Sequence, residues 1–330
     1  MRSSDVYNLI LDLHPVLRPV MIEGMPGGGK TSIAKQAAKS LDKPIIVRHL
    51  PSMLVEDFGV PDLGTSASSF GYILPDWFPE AGKPGTENGG ILLFDDRSQA
   101  GPELQKVLAH IILERDLHGH KLADGWQIIS TGNRQSDRAG ANRTLSHLAD
   151  RETTVEYETH LDDWSDYALK HSFDPVVIAF IQFRSNLLHD FDANRPKNAT
   201  PRGWEAVSTM LPYLKSSTEY SAIAGTVGEG PAAEFTGFCK IYRSLPNPDA
   251  VLMDPNNSAV PTDPATLYAL TGSLASRATA TNFDRMVTYV SRMPPEFSVL
   301  AVKMAATRDP GLANTPAFNR WAVNHKEVLF

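Results

Sequence analysis

The stretch that decides the fold is Gly24-Met25-Pro26-Gly27-Gly28-Gly29-Lys30-Thr31, which is followed by Ser32. It matches the pattern G-x-x-x-x-G-K-[ST], in which glycines allow backbone N–H groups to curl around phosphate oxygens. The lysine of this pattern reaches the outer phosphates of a nucleotide, and the threonine offers its hydroxyl oxygen to Mg²⁺. Residues 24–32 are therefore predicted to bind the phosphate chain of a nucleotide, with Thr31 as a metal ligand.

The residues on either side of this stretch provide the context that a phosphate-binding loop requires. Residues 19–23 form a short apolar run that predicts a buried strand ending at the loop. Residues 31–41 place their apolar side chains on one face of a helix that begins at the loop. This strand–loop–helix order distinguishes the motif from a glycine-rich turn that carries Lys and Thr by accident.

Further strands and helices are predicted along the first half of the chain. Short apolar or β-branched runs that predict strands lie at 45–47, 91–94, 127–130 and 153–157. Residues 102–115 predict an amphipathic helix between the strands at 91–94 and 127–130. Alternating strands and helices favour a parallel sheet with helices on both faces. The fold class is therefore α/β over residues 1–159.

Helical patterns replace the strands after about residue 160. Asp174-Pro175 and Thr200-Pro201 each place a capping residue before a proline in the first helical position. Residues 253–264 are rich in turn formers and predict a linker, after which helices are expected at about 265–275, 281–292 and 295–307. We accordingly expect a helical lid over 160–252 and a helical C-terminal extension over 253–330.

Two adjacent carboxylates follow the apolar run at 91–94. Nucleotide hydrolysis needs carboxylates at the end of a buried strand, one to hold Mg²⁺ and another to orient the attacking water. Asp95 is predicted as the metal ligand and Asp96 as the residue that orients water. The alternative is that both acids only cap the loop before Pro102.

These motifs, together with Ile128-Ile129-Ser130-Thr131-Gly132-Asn133, resemble those of AAA+ ATPases, and the last stretch is similar to their sensor 1 strand. The resemblance covers about residues 15–215 and implies an AAA+ P-loop core that binds and hydrolyses ATP with Mg²⁺. It implies that Asn133 helps to position the attacking water, and a buried asparagine that caps a loop is the alternative. Most members end the acidic strand with Asp-Glu, so the shorter Asp96 is compatible with slow hydrolysis.

Arginines complete the active sites of AAA+ rings, one of them supplied by the neighbouring subunit. Arg151, just before the predicted strand at 153–157, best matches this arginine finger, and Arg138 and Arg143 are the alternatives. Arg202, at the start of a predicted helix, resembles the sensor 2 arginine that reaches the nucleotide of its own subunit. A surface arginine is the alternative for Arg202, although the helix dipole disfavours a cation there unless a phosphate lies nearby.

Two insertions resemble those of the MoxR-type branch of this family. About forty residues separate the second and third predicted strands, and the parts at 56–61 and 72–77 are similar to the helix-2 insert. Residues 117–126 are similar to the pre-sensor-1 β-hairpin, with Asp124-Gly125 as the expected turn. Both insertions would line the pore of a homo-oligomeric, hexameric ring. His118 and His120 lack a third metal ligand nearby in the sequence, which favours solvated side chains.

The resemblance implies an ATPase that remodels or assembles a protein substrate, with a separate protein carrying a von Willebrand factor A domain as a potential partner. A nucleic-acid motor or loader is one alternative. The chain has 38 acidic residues against 31 Lys and Arg, and residues 52–80 contain no Lys or Arg, so nucleic acid is less favoured. The other alternative is an ATP-dependent assembly scaffold with weak hydrolysis.

Cysteine content and hydropathy bear on the location of the protein. Cys239 is the only cysteine, which excludes an intramolecular disulfide and fits a reducing compartment. We expect it to be a buried, small apolar residue. No apolar run approaches the roughly 18 residues that a membrane span needs, and residues 1–14 lack an apolar signal segment. A cytoplasmic location without a membrane partner is expected.

Overall fold

The computed structural model describes residues 1–62, 71–134 and 150–325. The chain divides into two compact units, residues 1–159 and residues 160–330. The first unit is α/β and the second is helical, and hydrophobic clusters are found in both.

A five-stranded parallel sheet forms the centre of the first unit. Its strands are β1 (Val20–Gly24), β2 (Ile45–His49), β5 (Gly90–Asp95), β8 (Trp126–Gly132) and β9 (Thr153–Tyr157). Their order in the sheet is β2-β5-β8-β1-β9, and every neighbouring pair is parallel. The predicted parallel sheet is confirmed. Because all five strands run in one direction, the residues that follow β1, β5 and β8 meet at the carboxyl edge of the sheet.

Helices cover both faces of this sheet. They are α1 (Ser3–Leu13), α2 (Lys30–Ser40) and α3 (Pro102–Glu114). Side chains of β5 alternate between two apolar clusters: Ile91 and Leu93 pack with α1 and α2, whereas Leu92 and Phe94 pack with α3. A strand buried on both faces reads as a continuous apolar run, which explains the sequence of β5.

The two insertions each contain a short antiparallel pair. One pair is β3 (Val60–Asp62) with β4 (Gly71–Ile73), and the other is β6 (Asp116–Leu117) with β7 (His120–Lys121). The expected hairpin turn at Asp124-Gly125 is wrong, because the turn lies at His118-Gly119, where φ is 55° and 92°. Two-residue hairpins favour positive φ at both central residues. Gly125, with φ of 78°, lies instead in the turn that leads to β8.

The second unit contains ten α-helices in its described residues. They are α4 (Leu161–Lys170), α5 (Pro175–Phe183), α6 (Pro201–Met210), α7 (Glu219–Val227), α8 (Glu229–Arg243), α9 (Pro248–Met253), α10 (Pro264–Arg277), α11 (Phe283–Val290), α12 (Pro295–Arg308) and α13 (Pro316–Asn324). Asp174 accepts a hydrogen bond from Val176 N, and Thr200 accepts one from Gly203 N, so both predicted caps are confirmed. Helix α13 was not predicted, although Thr315-Pro316 is the same kind of start signal.

One hydrophobic cluster runs through this unit from Trp164 to Trp321. Residues on both sides of the irregular segment 254–263 contribute to it, so the predicted lid and the predicted extension share a core. Cys239 lies in the cluster as expected, and burial raises the pKa of its thiol to about 12. In none of the described ranges is a helix both long enough and apolar enough to cross a membrane.

Candidate functional site

The glycine-rich loop joins β1 to α2 at the carboxyl edge of the sheet. Gly27 and Gly29 have φ of 74° and 98°, left-handed values that glycine adopts without strain. A Cβ at Gly24 would lie 2.5 Å from the carbonyl oxygen of Tyr157, so a side chain has no room there. These positions therefore need glycine for backbone conformation or for space, and the predicted strand–loop–helix arrangement is confirmed.

Lys30 is buried at the first position of α2. Its ammonium group donates to the carbonyl oxygens of Gly24 at 2.7 Å and Met25 at 3.0 Å, and to Oδ1 of Asn133 at 3.1 Å. A buried ammonium needs such acceptors, since an unsatisfied charge in the interior is costly. The lysine thus connects the glycine-rich loop with the residue that follows β8.

Tyr157, the last residue of β9, supports the glycine-rich loop through a hydrogen bond. Its hydroxyl donates to the carbonyl oxygen of Gly28 at 2.6 Å, and this contact is buried. In a planar trans peptide the C=O and the following N–H point in opposite directions. Fixing the Gly28 carbonyl therefore directs the N–H of Gly29 away from Tyr157. No local motif in the sequence gives a signal for Tyr157.

The two predicted metal ligands are in direct contact. The hydroxyl of Thr31 donates to Oδ1 of Asp95 at 2.6 Å, and the hydroxyl of Thr131 donates to the same oxygen at 2.7 Å. The N–H of Asp96 donates to the Thr131 hydroxyl at 3.0 Å. Mg²⁺ prefers hard oxygen ligands such as hydroxyls and carboxylates. Thr31 and Asp95 therefore fit the metal ion of a bound nucleotide.

His49, at the end of β2, faces both carboxylates of the acidic strand end. Its Nδ1 lies 3.7 Å from Oδ2 of Asp95 and 3.8 Å from Oδ2 of Asp96. One ligand atom from each of the three residues falls within 4.8 Å of the others, a spacing that could hold a metal ion. Since imidazole suits transition metals better than Mg²⁺, Thr31 and Asp95 are the better magnesium ligands. No sequence motif predicts that His49 belongs to this site.

Asn133 is buried directly after β8, the strand that lies between β1 and β5. Its N–H donates to the Ser98 hydroxyl at 2.8 Å, while its Oδ1 accepts from Lys30. The sheet order therefore brings Asn133 between the glycine-rich loop and the acidic strand end. Its proposed role in positioning water stays a prediction, as does that of Asp96.

The residue after Asp96 has an unexpected partner. Arg97 is only 3% exposed and forms a bidentate ion pair with Glu152, which is 4% exposed, at 2.7 and 2.6 Å. Arg97 also donates to the Ser130 hydroxyl at 3.2 Å. Nearby, burial raises the pKa of Glu23; the charges of Glu152 and Glu156 act in the same direction, and Arg97 opposes them. No sequence motif predicts the pairing of Arg97 with Glu152.

The predicted arginines are not all within the described residues. Arg151 is exposed in the turn before β9. Arg202 is exposed in the first turn of α6, in the second unit. Arg138 and Arg143, the alternatives for the arginine finger, lie outside the described residues. The choice of Arg151 therefore stays a prediction.

No family model and no curated protein matches the sequence. The solved structure of RuvB from Thermotoga maritima, a Holliday junction branch migration motor, has a TM-score of 0.38 and 14% identity, covering 88% of this chain and 86% of that one. NtrX from Brucella abortus in complex with ADP has a TM-score of 0.35 and 13% identity, covering 98% of this chain and 67% of that one. At these values neither likeness bears on function. The residues of this chain define the site: a glycine-rich loop, a buried lysine, and a hydroxyl–carboxylate pair that fit a phosphate chain and its metal ion.

Proposed function

We propose that this chain is an AAA+ ATPase that binds ATP with Mg²⁺ and hydrolyses it to ADP and phosphate. The observation that carries the proposal is the meeting of three distant segments at the carboxyl edge of the sheet. Lys30 contacts Asn133, and Thr31 contacts Asp95, with the glycine-rich loop beside them. P-loop enzymes use this set of groups to bind phosphates and to stabilise the charge that develops on them.

Each group has a specific task in this proposal. Lys30 exchanges its carbonyl acceptors for phosphate oxygens, and the N–H of Gly29 is available to the same phosphates. Thr31 and Asp95 would hold Mg²⁺ through their oxygens, and the ion would neutralise phosphate charge. Asp96 orients the attacking water, and Asn133 helps to place it. The rate depends on this geometry, because displacements of about 1 Å cost on the order of 100-fold.

We further propose the MoxR-type branch and a homo-oligomeric ring, with six subunits as the family implies. An active site completed by an arginine from the next subunit requires that arginine to be accessible. Arg151 is exposed, which supports its assignment as the arginine finger. Arg202 is likewise exposed and is proposed to contact the nucleotide of its own subunit as the sensor 2 residue.

The surface of the first insertion supports a protein substrate over a nucleic acid. Residues 52–80 contain five acidic residues and neither Lys nor Arg. In the described part of this insertion, four large apolar side chains are exposed: Leu54, Val55, Val60 and Ile73. An acidic surface repels the phosphates of nucleic acid, whereas exposed apolar side chains favour contact with protein. A separate partner with a von Willebrand factor A domain is part of the same proposal.

Nucleotide binding by Lys30→Ala tests the ATPase assignment, with Lys39→Ala as the matched control. Both lysines lie on α2, but Lys39 is exposed in its last turn. Titration calorimetry with ATP and Mg²⁺ should show that Lys30→Ala weakens binding by about 100-fold or more. Lys39→Ala should bind as the unsubstituted chain does. Equal affinity in all three proteins would overturn the phosphate-loop assignment.

A salt series separates a protein substrate from a nucleic acid. We expect no binding of single- or double-stranded DNA that weakens steeply with salt, in the presence or absence of ATP. An Asp96→Asn variant held with ATP should instead retain a protein partner in a pull-down, and Lys30→Ala should not. Salt-sensitive DNA binding would favour the motor or loader.

The scaffold alternative predicts that Asp96 is too short for efficient hydrolysis. Restoring the missing methylene with Asp96→Glu should then raise the ATPase rate by about tenfold or more. An unchanged rate together with measurable turnover of the unsubstituted chain would eliminate the scaffold alternative.

A further inference from the structure

A buried ion pair connects two segments that the proposed mechanism treats separately. Arg97 directly follows Asp96, which is proposed to orient water. Glu152 directly follows Arg151, the proposed arginine finger. The guanidinium of Arg97 donates to both carboxylate oxygens of Glu152, at 2.7 and 2.6 Å. The acidic turn, residues 95–98, is therefore bonded to the segment that presents Arg151.

The geometry of this pair makes it a rigid connection. A bidentate guanidinium–carboxylate contact fixes orientation as well as distance, since two parallel hydrogen bonds must both be kept. The Ser130 hydroxyl accepts a further hydrogen bond from Arg97 at 3.2 Å. Both side chains are almost fully buried, so water cannot readily replace either partner. Movement of one segment must therefore carry the other with it or break a buried contact.

A second arginine holds the backbone around residue 151. One terminal nitrogen of Arg18 donates to the carbonyl oxygens of Asp150 and Glu152, each at 3.2 Å. These two carbonyls flank Arg151 on both sides. The backbone of Arg151 is thus tied to the body of the first unit, while its side chain is exposed.

The acidic turn is also bonded to the nucleotide-binding residues of the same chain. Asp95 accepts from Thr31, and the Ser98 hydroxyl accepts from the N–H of Asn133. A Mg²⁺ ion held by the Thr31 hydroxyl oxygen would lie beside Asp95, which accepts from that hydroxyl at 2.6 Å. The charge at Asp95 would then be partly neutralised two residues from Arg97, at one end of the rigid connection.

We propose that the Arg97–Glu152 ion pair positions Arg151 according to the occupancy of the nucleotide site in the same chain. Arg97 and Glu152 are positioning residues, because they act through Asp96 and Arg151 and touch neither the phosphate loop nor a reacting atom. In a ring, each subunit would offer its arginine to the neighbour in a manner set by its own nucleotide. This inference rests on the proposed ATPase function.

A spin label at position 151 tests the coupling directly. The parent protein is Arg151→Cys, labelled at the new cysteine. Cys239 is buried and its pKa is raised to about 12, so it stays a protonated thiol and does not take up the label. In this parent, Arg97→Met combined with Glu152→Leu replaces the ion pair by apolar side chains and leaves no buried charge without a partner.

A matched control comes from the second unit. Arg243 and Glu219 also form a bidentate ion pair, at 3.2 and 2.6 Å. Arg243→Met combined with Glu219→Leu removes that pair from the labelled parent. Calorimetry with ATP and Mg²⁺ measures the affinity of each protein, and the electron paramagnetic resonance spectrum reports the mobility of the label with and without nucleotide.

The proposal predicts that nucleotide changes the mobility of the label in the parent and in the control. In the double variant of Arg97 and Glu152, the change should fall at least about fivefold while ATP affinity stays within about threefold. An equal change in the double variant overturns the proposal. The proposal is also overturned if the parent binds ATP and its spectrum does not change.

Two further outcomes are distinguishable. If the parent and the unsubstituted chain both bind no nucleotide, the proposed function fails and this inference fails with it. If the double variant does not fold, Glu152→Gln in the labelled parent keeps the side-chain shape and removes the charge. A nucleotide-induced change reduced by at least about twofold in Glu152→Gln supports the coupling, and a change equal to that of the parent overturns it.

Discussion

The two units of this protein differ in how they use buried charge. In the described residues of the first unit, the buried charged side chains are Lys30, Arg97, Asp116 and Glu152, whereas in those of the second unit Glu219 alone is buried. Lys30 and Arg97 lie in the segments that follow β1 and β5 at the carboxyl edge of the sheet, and Glu152, which precedes β9, is the partner of Arg97. Asp116 instead accepts from the N–H of Gly119 in the β6–β7 hairpin.

Burial of charge is costly unless every charge is paired and hydrogen-bonded. The second unit avoids this cost with a core of apolar side chains. The ion pairs in its described residues have at least one exposed partner, as Arg243–Glu219 does. The first unit has buried charges, despite this cost, at the place where phosphate chemistry is proposed. The comparison indicates that stability alone does not account for the charges behind the glycine-rich loop.

The largest expected effect is on ATP turnover, and it distinguishes Arg151 of the first unit from Arg202 of the second. Arg151→Ala should lower ATP turnover by about 1,000-fold or more and leave ATP binding intact, because an arginine finger contacts the transition state. Mixing Arg151→Ala with Lys30→Ala subunits should restore turnover, since the latter still supply Arg151 to a neighbour. Turnover lost through Arg202→Ala, in the second unit, should not return in the same mixture. ATPase rates of mixed rings at several ratios measure both effects.

Removing one partner from the Arg97–Glu152 pair and from the Arg243–Glu219 pair shows how much each pair contributes to the free energy of unfolding. Arg97→Met should lower the free energy of unfolding by about 3–5 kcal/mol, because it leaves the Glu152 carboxylate buried without its partner. Arg243→Met should cost less than Arg97→Met, because the Arg243 side chain is 56% exposed and water can partly replace it beside Glu219. Chemical denaturation provides both values. Equal losses would show that burial does not distinguish these pairs.

Two tyrosines that donate to backbone carbonyls make a matched pair. Tyr157 donates to Gly28 at 2.6 Å in the first unit, and Tyr289 donates to Ala259 at 2.7 Å in the second. Substitution by Phe should lower stability by about 1 kcal/mol in each case. Only Tyr157→Phe should also weaken ATP binding, by about fivefold, because the N–H of Gly29 loses its fixed direction. Equal ATP affinity in both variants would contradict the support role of Tyr157.

The smallest effects concern two carboxylates whose pKa values are raised by burial. The pKa of Glu23, in the first unit, is raised from its ordinary value of 4.5, mainly by burial, and that of Asp174 is raised from 3.8 for the same main reason. A raised carboxyl pKa contributes stability that is present at acid pH and is lost as pH rises through the folded-state pKa. Glu23→Gln should therefore stabilise the protein at about pH 7, and the gain should shrink as the pH falls towards the ordinary value.

Asp174→Asn should likewise stabilise the protein at about pH 7, since asparagine can still accept the cap hydrogen bond from Val176 N. Denaturation curves between about pH 4 and 8 measure both gains. A Glu23→Gln protein that is less stable than the parent at neutral pH would contradict the assigned effect of burial.

Local patterns predicted the elements that place the site. The strands at 45–47, 91–94 and 127–130 were found with their ends extended by one to two residues, and the strand at 153–157 was found with the same bounds. Such patterns succeed because a buried parallel strand and an amphipathic helix each need a characteristic order of apolar residues. The hairpin turn was misplaced because His118-Gly119 and Asp124-Gly125 are both short, glycine-containing turn candidates, and pairing between β6 and β7 decides which one closes the hairpin.

The order of residues alone predicts the glycine-rich loop with its lysine and threonine, and the paired acids after β5. It does so because the spacing of these residues is typical of the local backbone that they form. The tertiary structure decided their partners. Lys30 meets Asn133 across 103 residues, Arg97 meets Glu152 across 55, and Tyr157 meets Gly28 across 129. These contacts depend on which strands are neighbours in the sheet, and strand order is a property of the whole packed core rather than of any short segment.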